Sequence, residues 1–324
     1  MPSDSEHVYV INGFYAAMRS KYTSPGSSVY YYSVEWNAAE LSWSDFRSEV
    51  LGATDPETAV AGSMRREIMS RYESLGLASK PNVGDNGVHG SASPFEGLAE
   101  RLNWLGTTLD DDATGHALLE AGVKRDTLLQ WTKDPQVDLD GSYSSLFDAF
   151  EDLDVPQVLK MAQKIGGDPF EDTPKFGTNQ AFMFIKPHAN NLATRALVKT
   201  ALRDRGITVL EEGEIDAVTI LSRKLIDTHY YAIANKASLS KPVELKPPEK
   251  KIAEFATKCA LACKHWNVAA APATRTQHAF ASPAARAIAH ALAPSLSQVR
   301  HHMGGGARWR AVLQCGRRVR RSPH

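Results

Sequence analysis

Residues 52–100, GATDPETAVAGSMRREIMSRYESLGLASKPNVGDNGVHGSASPFEGLAE, hold the turn, helix and histidine signals around which the rest of the chain is read. At their heart lies Asn86-Gly87-Val88-His89-Gly90-Ser91. Directly after it, Ser93-Pro94-Phe95-Glu96 predicts a helix start, with a capping serine, proline at the first helical position and a glutamate that closes a capping box. On that helix Phe95, Leu98, Ala99 and Leu102 make an apolar stripe, while Glu96 and Glu100 share another face. A carboxylate from that face can reach back towards the imidazole of His89.

Upstream, Thr54-Asp55-Pro56 predicts a turn, and Gly62-Ser63-Met64-Arg65-Arg66 leads into a helix of about ten residues ending near Gly76. Paired arginines at a helix start suit phosphate. A cationic helix start and an asparagine three residues before a histidine together suggest phosphoryl transfer through a phosphohistidine. In that chemistry the imidazole attacks a terminal phosphate while donors hold its oxygens. Taken by itself, a histidine is more often structural or at the surface, so the weight rests on the company His89 keeps.

That company forms an ordered pattern: Thr54-x-Pro56, Gly62-Ser63-x-Arg65, Asn86-x-x-His89-Gly90-Ser91, and Glu100 eleven residues after the histidine. It resembles the signature of the nucleoside diphosphate kinase family. The resemblance implies that His89 is the phosphorylated nucleophile, that Glu100 orients its other ring nitrogen, and that Thr54, Arg65 and Asn86 contact nucleotide phosphates or sugar. Phe14 takes the place of the aromatic that stacks on the base. The chain departs from the family at three points. The interval from Arg65 to Asn86 is longer, Ala92 stands where the family has aspartate, and a further phosphate-binding arginine expected six residues before Thr54 falls on Ser48, with Arg47 one place away.

At 324 residues with 43% hydrophobic content, the chain has material for more than one unit and at least one sizeable core. No run of about eighteen apolar residues exists, and the start MPSDSEHVYV lacks the basic and apolar regions of a secretory signal, so a cytoplasmic protein is expected. Cys259, Cys263 and Cys315 are too few and too unevenly placed for a disulfide framework. Cys259 and Cys263 with His265 lack the second ligand pair of a zinc site. Charge is unevenly spread. The chain through residue 254 carries 26 basic against 37 acidic side chains, whereas everything after it has eleven Lys and Arg and no acid.

Taken in order, Val8–Ile11 is a short apolar run, Phe14–Tyr22 reads as a helix, and Ser28–Trp36 is a strand rich in tyrosine and valine. Residues 106–177 read as a packed helical connector in which Asp110-Asp111-Asp112 suits a helix start better than a cation site. Ala181–Ile185 is a continuous apolar strand, followed by Lys186-Pro187-His188, a helix from Asn191 to Arg205, a second strand at 207–210, and a helix containing Leu225, Ile226, His229, Tyr230 and Ile233. By motif and order, Ile-Lys-Pro resembles the family's phosphate-binding lysine loop, which makes Lys186 catalytic and nucleotide-binding. His229-Tyr230 resembles its histidine–tyrosine pair, which brings Tyr230 to the nucleotide.

The expected organisation is a partial kinase-like domain at 1–105 with the catalytic-histidine segment, the connector at 106–177, the opening part of a second such domain at 178–262, and a basic, disordered tail at 263–324. The first stretch resembles the later part of one domain and the third the start of the next, as in a fragment of a tandem-repeat protein. A permuted pairing of the two would bring Lys186 and Tyr230 to His89, and is favoured over two incomplete folds with open sheet edges. The fold class is therefore α+β, a ferredoxin-like βαββαβ sheet with helices on it, as the resemblance implies. The expected activity is transfer of the terminal phosphate from a nucleoside triphosphate to a nucleoside diphosphate through phospho-His89. The alternative is an inactive nucleotide-binding or assembly module of a multi-repeat protein. Partners are ATP and other nucleoside di- and triphosphates, with homo-oligomers or a larger repeat assembly, no membrane and no specific nucleic acid. Magnesium (Mg2+) would come carried on the nucleotide, with no protein metal site.

Overall fold

The computed structural model describes residues 10–11, 13–139, 141–166, 177–234 and 314–315. The chain divides into two compact units, Met1–Ser20 with Tyr230–His324, and Lys21–His229. In the first, β1 (Val10–Ile11) pairs antiparallel with β8 (Gln314–Cys315), and α12 (Tyr231–Ala234) forms a single turn. The strand at 314–315 departs from the disorder expected of the tail, because its backbone pairs with β1; the rest of the tail, and Cys259, Cys263 and His265, lie outside the described residues.

The second unit has an α+β architecture. After α1 (Gly13–Thr23), most of which belongs to the first unit, come β2 (Ser28–Asn37), α2 (Trp43–Asp45), a π-helical turn at Phe46–Leu51, α3 (Met64–Ser70), β3 (Val88–Gly90) and α4 (Pro94–Trp104). The middle of the chain supplies α5 (Ala113–Glu120), α6 (Arg125–Trp131), β4 (Gln136–Leu139), β5 (Ser142–Ser145), α7 (Leu146–Phe150) and α8 (Val155–Gly166). The last stretch supplies β6 (Thr178–Ile185), α9 (Leu192–Asp204), β7 (Thr208–Asp216), α10 (Ala217–Ser222) and α11 (Leu225–His229). Residues 106–177, expected to be a helical connector, thus carry a β4–β5 hairpin among their helices. It turns at Gly141, whose φ of +84° suits glycine. The helix expected to end near Gly76 stops at Ser70 because Arg71 leaves the helical region. The helix expected across His229 to Ile233 is broken into α11 and α12.

Among the described residues the main sheet has the order β3-β6-β2-β7, with every neighbouring pair antiparallel. Strand β6, late in the chain, is inserted between two strands that precede it by more than eighty residues. Its composition explains the place. NQAFMFI is buried at every position, which only a central strand covered on both faces can satisfy. Ala181, Met183 and Ile185 join Tyr32, Val34, Trp36, Val88, α3 and α9 in one core. Phe182 and Phe184 face the other way, against Trp104 of α4 at ring separations of 5.9 and 5.3 Å. Burial of each such ring contributes about 1.5–3 kcal/mol.

Helix α4 starts as the sequence predicts. Ser93 Oγ accepts the Glu96 N–H at 3.1 Å and Pro94 occupies the first turn. It lies so close to β6 that a Cβ at Gly97 would stand 2.8 Å from the Gln180 carbonyl oxygen. Its outer face, Phe95 and Leu98, enters a second core with α5 to α8. Arg101 ties these layers together. Buried on α4, it binds both carboxylate oxygens of Asp112 at 2.6 and 3.0 Å and donates to Gln180 O at 3.0 Å. Asp112 is also the N-cap of α5, accepting from Thr114 and Gly115. Replacing Asp112 by alanine strands a buried guanidinium and removes a cap, so Asp112→Ala should destabilise the fold by about 3–5 kcal/mol. Urea denaturation reads this directly, and a loss under about 1 kcal/mol would make the pair incidental.

Candidate functional site

His89 lies on the α4-facing side of the sheet because Val88 and Gly90, its neighbours on β3, point into the other core. The entry to β3 is fixed at Gly87, whose φ is +89° and whose Cβ, if present, would meet Ile68 Cδ1 at 2.9 Å. Gly87 O accepts the Lys186 N–H at 2.9 Å, and Gly87 N–H donates to His188 Nε2 at 3.1 Å. These two bonds clamp the start of β3 to the end of β6. Lys186, which follows directly on β6, is thereby brought beside the strand that carries His89.

The imidazole stacks on Phe184, its register partner, with centroids 4.7 Å apart. Its Nε2 is 2.6 Å from Glu100 Oε1. The other oxygen, Oε2, accepts from Ser91 Oγ at 2.6 Å, and that hydroxyl oxygen accepts the Phe182 N–H at 2.9 Å. Glu100 is thus held from two sides. His229, on α11, turns its Nδ1 to the same Oε1 at 3.3 Å and sets its ring edge-on to His89 at 4.6 Å. Trp104 Nε1 lies 3.4 Å from that Nδ1. His89 Nδ1 has no hydrogen bond among the described residues.

Burial governs the protonation of this cluster. It holds the His89 imidazole well below its usual pKa, helped by the charges of Lys186, Arg65 and Arg47. It pushes His229 down to about 3 and His188 down to about 4. Lys186 comes down to about 8, first through burial and then through Arg65. Burial lifts the carboxyls instead, Glu100 to about 7 and Glu96, which also feels Glu100, to about 8. A neutral imidazole fixed at one nitrogen and open at the other can act as a nucleophile or a proton acceptor.

The other expected residues fall into place unevenly. Arg65 donates to the backbone carbonyls of Gly52 at 2.7 Å and Val88 at 3.2 Å. Asn86 is buried and donates to Thr54 O at 3.0 Å, while its Oδ1 has no hydrogen-bond partner. Thr54 is exposed. The side chain of Phe14 lies outside the described residues. Tyr230 belongs to the first unit, where its carbonyl accepts the Ala234 N–H at 2.8 Å. Arg47 sits in the π-helical turn and binds Glu151 at 2.8 Å and Asp152 at 2.7 Å.

Two roles escape the sequence reading. Ser91 holds Glu100, and the signal for it was its place two residues from His89 on a strand, which puts both on one face. The resemblance gives His229 as one of a histidine–tyrosine pair, but nothing local ties it to a glutamate on α4. Together His89, Glu100 and His229 offer three donor atoms within 4.8 Å of one another, a group able to hold a transition metal. Comparison of the chain with protein-family models, with curated proteins and with solved structures returns no match.

The carboxyl shifts set a pH dependence. Folded Glu96 and Glu100 bind protons more tightly than they do unfolded, so stability falls as pH rises from the ordinary glutamate range to about 8. Below about 6.5 the buried imidazoles oppose this, because unfolding lets them take up protons. Between 6.5 and 8 the carboxyls dominate. Urea midpoints should therefore decline over that interval, and Glu96→Gln, which keeps an acceptor for the Ala92 N–H, should make the decline shallower. An equal slope in the variant would refute the burial of an ionising Glu96.

Proposed function

We propose that the chain carries out nucleoside diphosphate kinase chemistry, with His89 as the group that takes and passes on the terminal phosphate. The observation that carries this reading is the 2.6 Å contact between Nε2 and Glu100, which commits one ring nitrogen and leaves Nδ1 as the nucleophile. The Nδ1 lone pair attacks the terminal phosphorus of a nucleoside triphosphate, forming a P–N bond as the P–O bond to the departing diphosphate breaks. Positive charge develops on the ring, and Glu100 accepts the Nε2–H while Ser91 Oγ donates to its other carboxylate oxygen. A second nucleoside diphosphate then takes the phosphoryl group by the reverse path.

The surroundings favour the same reading. The charges of Lys186, Arg65 and Arg47 all act on the His89 ring, and cations suit a polyphosphate. The π-helical turn at Phe46–Leu51 holds one residue more than an α-turn, which is the offset of Arg47 from the position the family resemblance gives it. Read from β6, the order β6-α9-β7 then β2-α3-β3 gives a βαββαβ succession in permuted order, with an antiparallel sheet that suits a ferredoxin-like kinase domain. Magnesium would arrive with the nucleotide and supply neutralisation of phosphate charge. The cationic surroundings of His89 fit a metal that arrives with its own anion.

A second reading, a nucleotide-binding module without turnover, is favoured by Arg65, whose guanidinium donates to the carbonyls of Gly52 and Val88. One experiment separates the two. The full chain is incubated with γ-labelled ATP and magnesium, and an acid-labile, alkali-stable label is sought beside His89→Ala. The kinase reading expects label that requires His89, is chased by a nucleoside diphosphate, and forms about a hundredfold more slowly in Glu100→Gln. A folded protein that binds nucleotide and takes no label would leave the binding module.

A further inference from the structure

The cluster at Glu100 holds a chemistry that phosphoryl transfer does not use. Its donors come from three elements, His89 from β3, Glu100 from α4 and His229 from α11, and one ligand atom of each lies within 4.8 Å of the other two. Two imidazoles and a carboxylate are the donor set that borderline divalent metals take as three protein ligands with a fourth position left over. With metal–ligand bonds of about 2.0–2.1 Å at tetrahedral angles, donor atoms stand about 3.3 Å apart. Glu100 Oε1 and His229 Nδ1 are already 3.3 Å apart. The 2.6 Å between His89 Nε2 and Oε1 is a hydrogen-bond length, and opens by roughly 0.7 Å when the proton between them gives way to a metal.

The donors are also braced from behind, as metal ligands commonly are. Ser91 Oγ fixes the far oxygen of Glu100, Phe184 stacks on His89, and Trp104 packs edge-on against His229. From this geometry we infer that His89, Glu100 and His229 form a binding site for one zinc-class divalent cation.

Protons balance the binding. Coordination takes the Nε2 lone pair, so the neutral His89 ring carries its proton on Nδ1, any proton on Glu100 goes to solvent, and the Trp104 N–H gives up the His229 nitrogen. With Nδ1 protonated, His89 is not a nucleophile. Metal and phosphoryl donor therefore exclude one another at a single imidazole through opposite nitrogens. This exclusion rests on the proposed function, whereas the metal site does not.

The test titrates the metal-free full chain with Co2+, followed by its visible absorption, then displaces it with Zn2+. In parallel, His89 is probed with diethyl pyrocarbonate. One Co2+ per chain in a tetrahedral-type spectrum is expected, displaced by Zn2+ and protecting His89 from carbethoxylation. Affinity should fall at least about tenfold in His229→Gln and in Glu100→Gln. Because either could perturb the core, His89→Asn, at the most exposed of the three positions, supplies a third variant, with circular dichroism confirming that each is folded. Absence of Co2+ binding overturns the site. So does equal affinity in the folded variants, which would put the metal elsewhere on the chain. Metal binding that persists in a protein taking no phosphoryl label would sink the kinase reading alone.

Discussion

The insertion of β6 between β3 and β2 is the constraint on which everything else in the Lys21–His229 unit depends. Two bonds at Gly87, one accepted from the Lys186 N–H and one donated to His188, fix where β3 begins relative to where β6 ends. A slip of one residue would turn His89 into the core that holds Val88 and Ile185, and Val88 towards Glu100. The register is protected on both faces. Val88 faces Ile185 on one side, and His89 faces Phe184 on the other. Fold and site are thus specified by the same pairing.

The site also puts four ionisable groups, two imidazoles and two glutamates, where water is scarce. Their shifts run in opposite directions because burial disfavours whichever form is charged. The imidazoles become poorer bases and the carboxyls poorer acids, until the folded state accommodates neutral histidines beside carboxyls that ionise near neutrality. That arrangement is poor for stability above neutral pH. It is well suited to a ring that must stay unprotonated while a neighbouring carboxylate waits for charge to develop on it. Structural groups are seldom assembled in this way, since apolar residues of similar volume would serve packing better.

Features set by local interactions were legible in the sequence. The start of α4 follows from Ser93, Pro94 and Glu96, and the reach of Glu100 to His89 follows once that helix is placed beside a short strand. The burial of β6 was visible in its unbroken apolar run, and β2 in its tyrosines and valine. What could not be read depends on partners distant in the chain. His229 meets Glu100 across more than a hundred residues, and the β4–β5 hairpin interrupts a stretch whose leucines and phenylalanines suit helices equally well. The π-helical turn has no compositional mark at all, although its Phe46 and Leu51 both enter one core. The capping box shows the limit even locally. Glu96 bonds to the Ala92 N–H, where the motif led to Ser93.

The middle of the chain does more than bridge 105 to 178. Asp154 accepts the Trp43 N–H at 2.7 Å and the Asn179 amide at 2.7 Å, while Asn179 Oδ1 accepts the Val155 N–H at 3.0 Å. Asn179 is fully buried at the start of β6, and Trp43 is fully buried beside the end of β2. Two residues before Asp154, Asp152 N–H donates to Ala92 O, at the join between β3 and α4. One short segment therefore holds the ends of three paired strands that are far apart in sequence. Strands recruited from distant stretches face a large loss of chain entropy on closure, and side-chain bonds at the point of closure offset it where no tight turn can. The connector thereby stabilises the pairing that brings Lys186 to His89, although it contributes no ligand to Glu100 itself.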